Sequence, residues 1–299
     1  MADELIAVTG AGGGVGGRLA RRLAAAGAGV TQRLLTRDPG RAPSLHNATA
    51  TRADFRNPRS VEQALTGVQS LFLVSATEDA DRVQLHTNAV DAARAAGVAR
   101  IVYLSFLAAA PDATFTFARD HWHTEQYIQA AGIAYTFLRD SLYQDVLPFF
   151  ADSAGVIRGP AGDGRFAPVT RDDVADVAAA VLRGAGEHDG ARYDVTGPAA
   201  ITMAEVSAEL TRASGRPVRY HAETLPEAYA SRARFGAPEW AVAGWVTSYA
   251  AIATGELDVV SGTVAELAGH PPISFAEFLA ANPGPLARLR REREQEDSR

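Results

Sequence analysis

A glycine-rich segment near the start of the chain constrains the fold more than any other feature. Residues 5–9 form an apolar run typical of a buried strand, and a helix with an apolar residue at every fourth position begins at Val15. Between them, Gly10, Gly13 and Gly16 follow the spacing G-x-x-G-x-x-G, a variant of the dinucleotide-binding fingerprint. Glycine permits a tight turn, close approach of the backbone to a diphosphate, and close packing of helix against strand. The segment therefore predicts a nucleotide-binding strand, turn and helix.

Strand-like runs alternate with helical segments through the first half of the chain. The predicted strands are residues 5–9, 31–36, 49–53, 69–76, 99–105 and 133–138, and the predicted helices are residues 15–26, 59–65, 82–96 and 118–131. This alternation predicts an α/β fold with a doubly wound parallel sheet and right-handed crossovers.

The composition of the chain excludes several kinds of partner and catalytic mechanism. The chain has 299 residues and a net charge of −6, which argues against nucleic acid as the main partner. It contains no Cys and no Lys, so thiolate and Schiff-base catalysis are excluded.

His121 and Glu125 share a helical face, but no third ligand converges on them, and we expect no metal site. No export signal and no membrane-spanning apolar run is visible, so a cytoplasmic enzyme without membrane contacts is expected.

The loop after the second predicted strand indicates which nucleotide is bound. Arg37 lies about twenty residues after the last fingerprint glycine, where an Arg accommodates the 2′-phosphate of NADP. Asp38 is a possible reader of the NAD ribose, but it precedes a proline and is better explained as a helix N-cap. We therefore expect NADP (NADPH). The expected cofactor-binding residues are Thr9, Gly10, Gly12, Gly13, Val15, Gly16, Arg37, Asp54, Phe55, Ser75 and Ala76.

Several motifs, in their order and spacing, resemble the NmrA-like atypical short-chain dehydrogenase/reductases. Within that family the chain is most similar to the NAD(P)H:quinone oxidoreductase type 2 subgroup, and the resemblance spans nearly the whole chain. The motifs that carry it are Gly10-x-x-Gly13-x-x-Gly16, Thr36-Arg37-Asp38-Pro39, His121-x-x-Thr124-Glu125, residues 132–139, Gly162-Asp163-Gly164, Thr170-Arg171-Asp172-Asp173 and Gly269-His270-Pro271-Pro272.

The resemblance implies a Rossmann domain with a smaller C-terminal lobe and a substrate cleft between them. We expect residues 1–150 to form the dinucleotide-binding domain. Residues 151–299 would form mainly the substrate-binding lobe, with some segments returning to the Rossmann core. NADPH binding, and hydride transfer to a quinone, are the properties that the resemblance implies. A homodimer is also expected.

Four residues are candidates for the catalytic site. His121 has a side chain that titrates near neutrality, although a surface histidine paired with Glu125 is an equally good interpretation. Ser105 ends the fifth predicted strand and is expected to point toward the cleft. Tyr143 falls where the resembling family lines its substrate pocket. Gln126 stands where many members of that family carry a lysine near the nicotinamide.

These residues predict reduction of a flat, activated small molecule. A quinone or similar planar carbonyl or enone accepts hydride readily, so the protein mainly has to orient the two planes and exclude water. Because Gln126 replaces the lysine, two alternatives stay open. One is a non-catalytic NADP(H)-sensing regulator, and the other is a redox-neutral enzyme on the same fold.

Overall fold

The computed structural model describes residues 4–27, 29–184, 186–287 and 289. At its centre, the described residues form a parallel sheet of seven strands in the order β3-β2-β1-β4-β5-β6-β9. Its strands are β1 (Glu4–Thr9), β2 (Val30–Thr36), β3 (Ala48–Arg52), β4 (Ser70–Val74), β5 (Arg100–Phe106), β6 (Ala134–Asp140) and β9 (Arg192–Val195). The strand order reverses between β1 and β4, and ligands of such sheets bind in the crevice beyond that point.

Helices cover both faces of the sheet. They are α1 (Gly14–Ala25) and α5 (Arg171–Arg183) on one face, and α2 (Pro58–Leu65), α3 (Arg82–Ala95) and α4 (Thr116–Ala130) on the other. Because Val15, Leu19 and Leu23 recur every four residues, they lie on one side of α1. That side packs in a buried cluster with Val174 and Val177 of α5. The predicted doubly wound sheet is confirmed.

Two strand ends differ from the prediction, and hydrogen bonding explains both. The predicted fourth strand continues to Ala76, but β4 ends at Val74, whose N–H donates to the hydroxyl of Thr9 (2.7 Å). The chain beyond it is a loop. The predicted sixth strand stops at residue 138, but β6 continues because Asp140 still pairs with Val195 of β9. The other predicted strands and helices are confirmed to within two residues at either end.

A second set of elements follows residue 150, and its hydrophobic core also includes Phe106, Leu107 and Leu147 from the first half of the chain. Two small sheets pair β7 (Val156–Gly159) with β11 (Arg219–Ala222) and β8 (Arg165–Phe166) with β10 (Ile201–Thr202); the helices are α6 (Met203–Ser214), α7 (Leu225–Arg232), α8 (Glu239–Ala253) and α9 (Phe275–Ala281). Elements α5 and β9 lie after residue 150 but pack in the central sheet. The division into domains at residue 150 stays a prediction.

None of the helices in the described ranges is both long enough and apolar enough to cross a lipid bilayer. The same residues contain no group of three or more His, Asp or Glu side chains arranged to hold a metal ion.

We expect Gly16→Ala to lower the thermal midpoint Tm. A methyl group there would lie 2.6 Å from the carbonyl oxygens of both Thr9 and Gly10, and overpacking of this kind costs about 1–3 kcal/mol. Gly284→Ala is the matched control, since a methyl group at that position meets no atom within 4 Å. Thermal melts followed by circular dichroism measure both variants. Equal Tm values would contradict the tight contact between the helix and the turn.

Candidate cofactor cleft and substrate pocket

The glycine-rich turn lies where the strand order reverses. Gly10 adopts a φ of +60° and packs against Val74, which a side chain at position 10 would approach to 3.3 Å. The Gly13 N–H donates to the Gly10 carbonyl (2.8 Å) and closes the turn. The Thr9 hydroxyl donates to the carbonyl of Phe72 (3.2 Å) and accepts from Val74, so it joins β1 to the end of β4. The first turn of α1 therefore begins directly at the crevice.

A cleft of about 340 Å³ opens at this turn. Most of the expected cofactor-binding residues line it, namely Thr9, Gly10, Gly12, Gly13, Arg37, Asp54, Phe55, Ser75 and Ala76. Val15 and Gly16 lie outside the lining. Val15 is buried in the core between α1 and the sheet, and Gly16 packs on the carbonyls of the turn. These two residues build the turn rather than the surface of the cleft.

The cleft has a basic end. Arg37 and Arg41 both line it, and among the described residues neither guanidinium group has a carboxylate within ion-pair distance. Asp38 accepts a hydrogen bond from the Gly40 N–H (3.1 Å) and caps a short 3₁₀ turn, which confirms the capping interpretation. Arg41 was not among the expected cofactor-binding residues. It lies just beyond the end of β2, where the fingerprint places the residue that selects between NAD and NADP. A second Arg in the same loop was the available signal.

The loop that follows β4 forms another wall of the cofactor cleft, and two buried side chains of α3 hold it in place. The Ala76 N–H donates to Nε2 of His86 (2.8 Å), and Nε of Arg82 donates to the Ala76 carbonyl (3.1 Å). Because a backbone N–H can only donate, the His86 proton lies on Nδ1, which donates to the Thr124 hydroxyl (2.7 Å). Burial, reinforced by the charge of Arg82, lowers the pKa of His86 to about 3. A neutral histidine therefore fixes this wall of the cleft.

His121 lies beneath this wall. Its Nε2 accepts from Arg82 Nη2 (2.9 Å), and its Nδ1 lies 2.9 Å from the Tyr103 hydroxyl. Burial and the nearby Arg82 hold its pKa well below the ordinary histidine value. The interpretation as a surface histidine paired with Glu125 is wrong, because α4 turns this face onto the sheet. Both ring nitrogens are engaged by protein groups, so the geometry favours a supporting role over proton donation to a substrate.

Ser105 and Gln126 are also away from the two cavities. Ser105 is fully buried, and its hydroxyl donates to Oε1 of Glu125 (2.6 Å), whose carboxylate Arg139 binds through two nitrogen atoms (2.8 and 2.6 Å). The expectation that Ser105 points toward the cleft is wrong, because alternation along β5 turns it toward α4, as it does Tyr103. Gln126 is exposed on α4 and lines neither cavity.

Tyr143 forms a pair with Asp140 that the sequence argument did not identify. The Tyr143 hydroxyl donates to Oδ2 of Asp140, and the Arg171 guanidinium lies over the Tyr143 ring, 4.5 Å from its centroid. Burial raises the pKa of Asp140 to about 7, although the hydrogen bond from Tyr143 and the charge of Arg171 oppose the rise. A carboxyl group at the end of a buried strand was the only sequence signal for this pair.

The surroundings of Tyr143 connect the two parts of the site. The Arg171 side chain packs on the first turn of α1, where a Cβ added to Gly14 would lie 2.7 Å from its Cδ. On the other side, Leu142 and Val146 line a second, largely apolar cavity of about 440 Å³. Tyr143 itself is not among the residues that line either cavity; Arg171 joins it to the glycine-rich turn, and its chain neighbour Leu142 lines the second cavity.

The second cavity has aromatic walls. It lies between the segment after β6, strand β7, the chain entering α4, and helices α7 and α8. Its aromatic side chains are Phe115, Phe117, Phe150, Phe235, Trp245 and Tyr249. Glu78 lines this cavity, while its neighbours Thr77 and Asp79 line the first one. One loop thus borders both spaces, and helix α8 forms part of the wall of the second.

A glycine-rich turn at the reversal of a parallel sheet, with a basic cleft beyond it, defines a Rossmann-type dinucleotide-binding protein. Residues 10–184 match the family model described as NAD(P)H-binding. The chain belongs to this NAD(P)H-binding family, as the fingerprint predicts.

Known proteins resemble the chain over almost its full length. Quinone oxidoreductase 2 of Escherichia coli is 34% identical over 281 residues, covering 92% of this chain and 98% of the relative. The (4-alkanoyl-5-oxo-2,5-dihydrofuran-3-yl)methyl phosphate reductase of Streptomyces griseus is 36% identical over 285 residues, covering 92% and 97%. The crystal structure of an NADPH-dependent quinone oxidoreductase from E. coli, in complex with NADPH, matches with a TM-score of 0.84 at 33% identity and covers 92% of this chain and 99% of that one. The predicted resemblance and the class of NAD(P)H-dependent oxidoreductase are confirmed.

We expect His86→Phe to weaken NADPH binding, because it leaves the partly buried Ala76 N–H without its acceptor in the cleft wall. An unsatisfied buried donor costs about 1–3 kcal/mol, which corresponds to roughly a five- to hundredfold increase in Kd. His86→Gln is the matched variant, since an amide oxygen can accept the same hydrogen bond and should restore most of the affinity. Fluorescence titration with NADPH measures Kd for both. Equal affinities of the two variants would show that this hydrogen bond does not hold the wall.

Proposed function

We propose that the protein is an NADPH-dependent reductase of quinones or similar activated planar carbonyls and enones. The observation that carries the proposal is the aromatic cavity, which shares the loop around Glu78 with the cofactor cleft. Flat side chains that exclude water suit a flat, conjugated acceptor. The relatives support this choice, since one is named for a quinone and the other for a conjugated oxo-dihydrofuran.

The residues of the cleft fit a dinucleotide. Gly12 and Gly13 line the cleft, and a Cβ would approach Arg41 Cβ or the Gly10 carbonyl oxygen to 3.1 Å, so glycine keeps this turn compact. A turn without side chains lets a diphosphate approach the backbone closely. Arg37 and Arg41 at the basic end suit the 2′-phosphate that distinguishes NADPH from NADH. Asp54, Phe55, Ser75 and Ala76 line the remaining wall, which the buried His86 and Arg82 hold in place.

Tyr143 and Asp140 would supply the proton. The bound cofactor provides a hydride, and the reduced acceptor is left with an anionic oxygen that takes up one proton. We infer that the Tyr143 hydroxyl gives its proton to that oxygen and takes one from Asp140, which water then reprotonates. The near-neutral pKa of Asp140 suits this role, because the carboxyl group is partly protonated at neutral pH. Ser105 and His121 would then act as supporting residues, while the exposed Gln126 is distant from this chemistry.

The division into domains, the cellular location, the assembly and the partners form part of the same proposal. Residues 1–150 would form the dinucleotide-binding domain and residues 151–299 mainly the substrate lobe. We also propose that the protein acts in the cytoplasm as a homodimer, with a planar small molecule and neither nucleic acid nor membrane as its partner.

Anaerobic NADPH oxidation with a panel of benzoquinones, naphthoquinones and enones tests the proposed reaction. Saturable consumption of NADPH with any acceptor supports a reductase. Binding of NADPH without consumption by any of them would overturn the proposal and favour an NADP(H)-sensing protein. Product formation with no net change in NADPH would favour a redox-neutral enzyme instead.

We expect Arg37→Gln and Arg41→Gln each to reduce the preference for NADPH over NADH. A hydrogen bond to a charged group contributes about 1.5–3 kcal/mol, so the ratio of the two Kd values should fall about tenfold or more. Arg59→Gln removes the same charge from an exposed position of α2 outside the cleft and serves as the control. An unchanged ratio in both cleft variants would show that another group reads the 2′-phosphate.

We expect kcat for quinone reduction to fall as pH rises above about 7, since Asp140 then loses the proton that it supplies. Asp140→Asn should show a low kcat without this pH limb, because an amide has no proton to relay. Tyr143→Phe should behave in the same way. Tyr127→Phe is the matched control, because the Tyr127 hydroxyl also donates to a carboxylate, that of Asp91, but in the contact between α3 and α4 rather than beside Asp140. A wild-type pH limb that persists in Asp140→Asn would exclude Asp140 as its source.

A further inference from the structure

The aromatic cavity contains charged groups that the reaction above does not use. Five charged side chains line it, namely Glu78, Asp152, Arg158, Arg232 and Arg234. Quinone reduction needs none of them, so their arrangement bears on which acceptor the cavity takes. The inference that follows rests on the proposed function.

Arg232 is already neutralised within the protein. It is buried, and its Nη1 donates to Oε2 of Glu223 (3.0 Å) and to the carbonyl of Ala228 (3.0 Å). Its Nη2 donates to the carbonyl of Arg158 (2.9 Å), and its guanidinium packs near the Tyr249 ring. These contacts join α7 to β7, so Arg232 is part of the cavity wall.

Arg158 and Arg234 are bound much less completely. Arg234 is exposed and lies over the Phe235 ring, 4.9 Å from its centroid, and none of the carboxylates in the described ranges is within ion-pair distance of it. Among the carboxylates that the structure describes, Arg158 reaches only that of Asp152, at 3.7 Å, and its side chain is 37% exposed. Asp152 meanwhile accepts two backbone N–H groups through Oδ1. Both guanidinium groups therefore retain donors that face the cavity.

The one remaining acid among these five side chains, Glu78, lies on the loop that borders the cofactor cleft. Glu78 accepts a hydrogen bond from Trp245 Nε1 (3.2 Å) and stands between Thr77 and Asp79, which line the cofactor cleft. The reducible group of an acceptor has to approach the cofactor. It must therefore lie on the side of the cavity that the loop around Glu78 borders. Arg158, on β7, and Arg234, after α7, belong to the wall formed by the second set of elements.

We propose that this cavity selects aromatic acceptors that carry an anionic substituent, such as a sulfonate or carboxylate, on the ring away from the reducible group. Arg158 and Arg234 are the specificity-determining residues, because a guanidinium group binds such oxyanions through paired, charge-assisted hydrogen bonds. The aromatic walls hold the ring system, and Glu78 disfavours the reversed orientation by repelling the anion.

The first test compares 1,4-naphthoquinone-6-sulfonate with 1,4-naphthoquinone. The ratio of their kcat/KM values should favour the sulfonate in the wild-type protein and fall about three- to tenfold in Arg158→Gln or Arg234→Gln, with a larger fall in the double variant. Comparing ratios removes the intrinsic difference in reactivity between the two quinones. Arg59→Gln, which removes an exposed charge outside both cavities, should keep the wild-type ratio. Reduction of both quinones with the same ratio in every variant would overturn the inference and leave the proposed function intact.

A second readout does not need turnover. Anthraquinone-2-sulfonate, added without cofactor, should quench the fluorescence of Trp245 in the cavity, and the same two Arg substitutions should weaken this binding severalfold. Trp245→Phe identifies the source of the signal. If neither naphthoquinone is reduced, the proposed function fails, but arginine-dependent binding of the sulfonate would still support the inference. Binding that is equal in wild type and double variant would overturn it.

Discussion

The contact between the end of β1 and the end of β4 is the constraint on which the rest of the site depends. The Thr9 hydroxyl bonds to both Phe72 and Val74, and Gly10 turns away against Val74 with a positive φ. Only glycine combines that backbone angle with so close an approach. The crevice opens because the chain leaves β1 for α1 on one face of the sheet and leaves β4 for α3 on the other. The N-terminus of α1, which attracts anions, lies at this crevice.

Buried polar groups, rather than exposed ones, make the walls of the crevice rigid. Arg82, His86 and His121 are joined through hydrogen bonds that end on the backbone of Ala76. A neutral histidine at this depth is stable because each ring nitrogen has a partner and its charged form is disfavoured by burial. The position of Ala76 is thus set by three side chains from two helices.

The cofactor cleft and the second cavity have different linings. The cofactor cleft is lined mainly by backbone and short side chains at strand ends, where a diphosphate can approach closely. The second cavity is lined by aromatic rings from both halves of the chain and by guanidinium groups from elements that follow residue 150. Asp140, at the end of β6, pairs with Tyr143, which contacts Arg171 beside the glycine-rich turn and directly follows Leu142 of the second cavity.

Local pattern alone determined the sheet, its helices, the nucleotide-binding turn and the capping role of Asp38, because strand and helix periodicity and turn chemistry are properties of neighbouring residues. Only the tertiary structure decided that His121 and Ser105 are buried in hydrogen-bonded networks and that Asp140 and Arg41 belong to the site. The partners of these side chains come from distant segments, and the chain must pack before their burial and charge are defined.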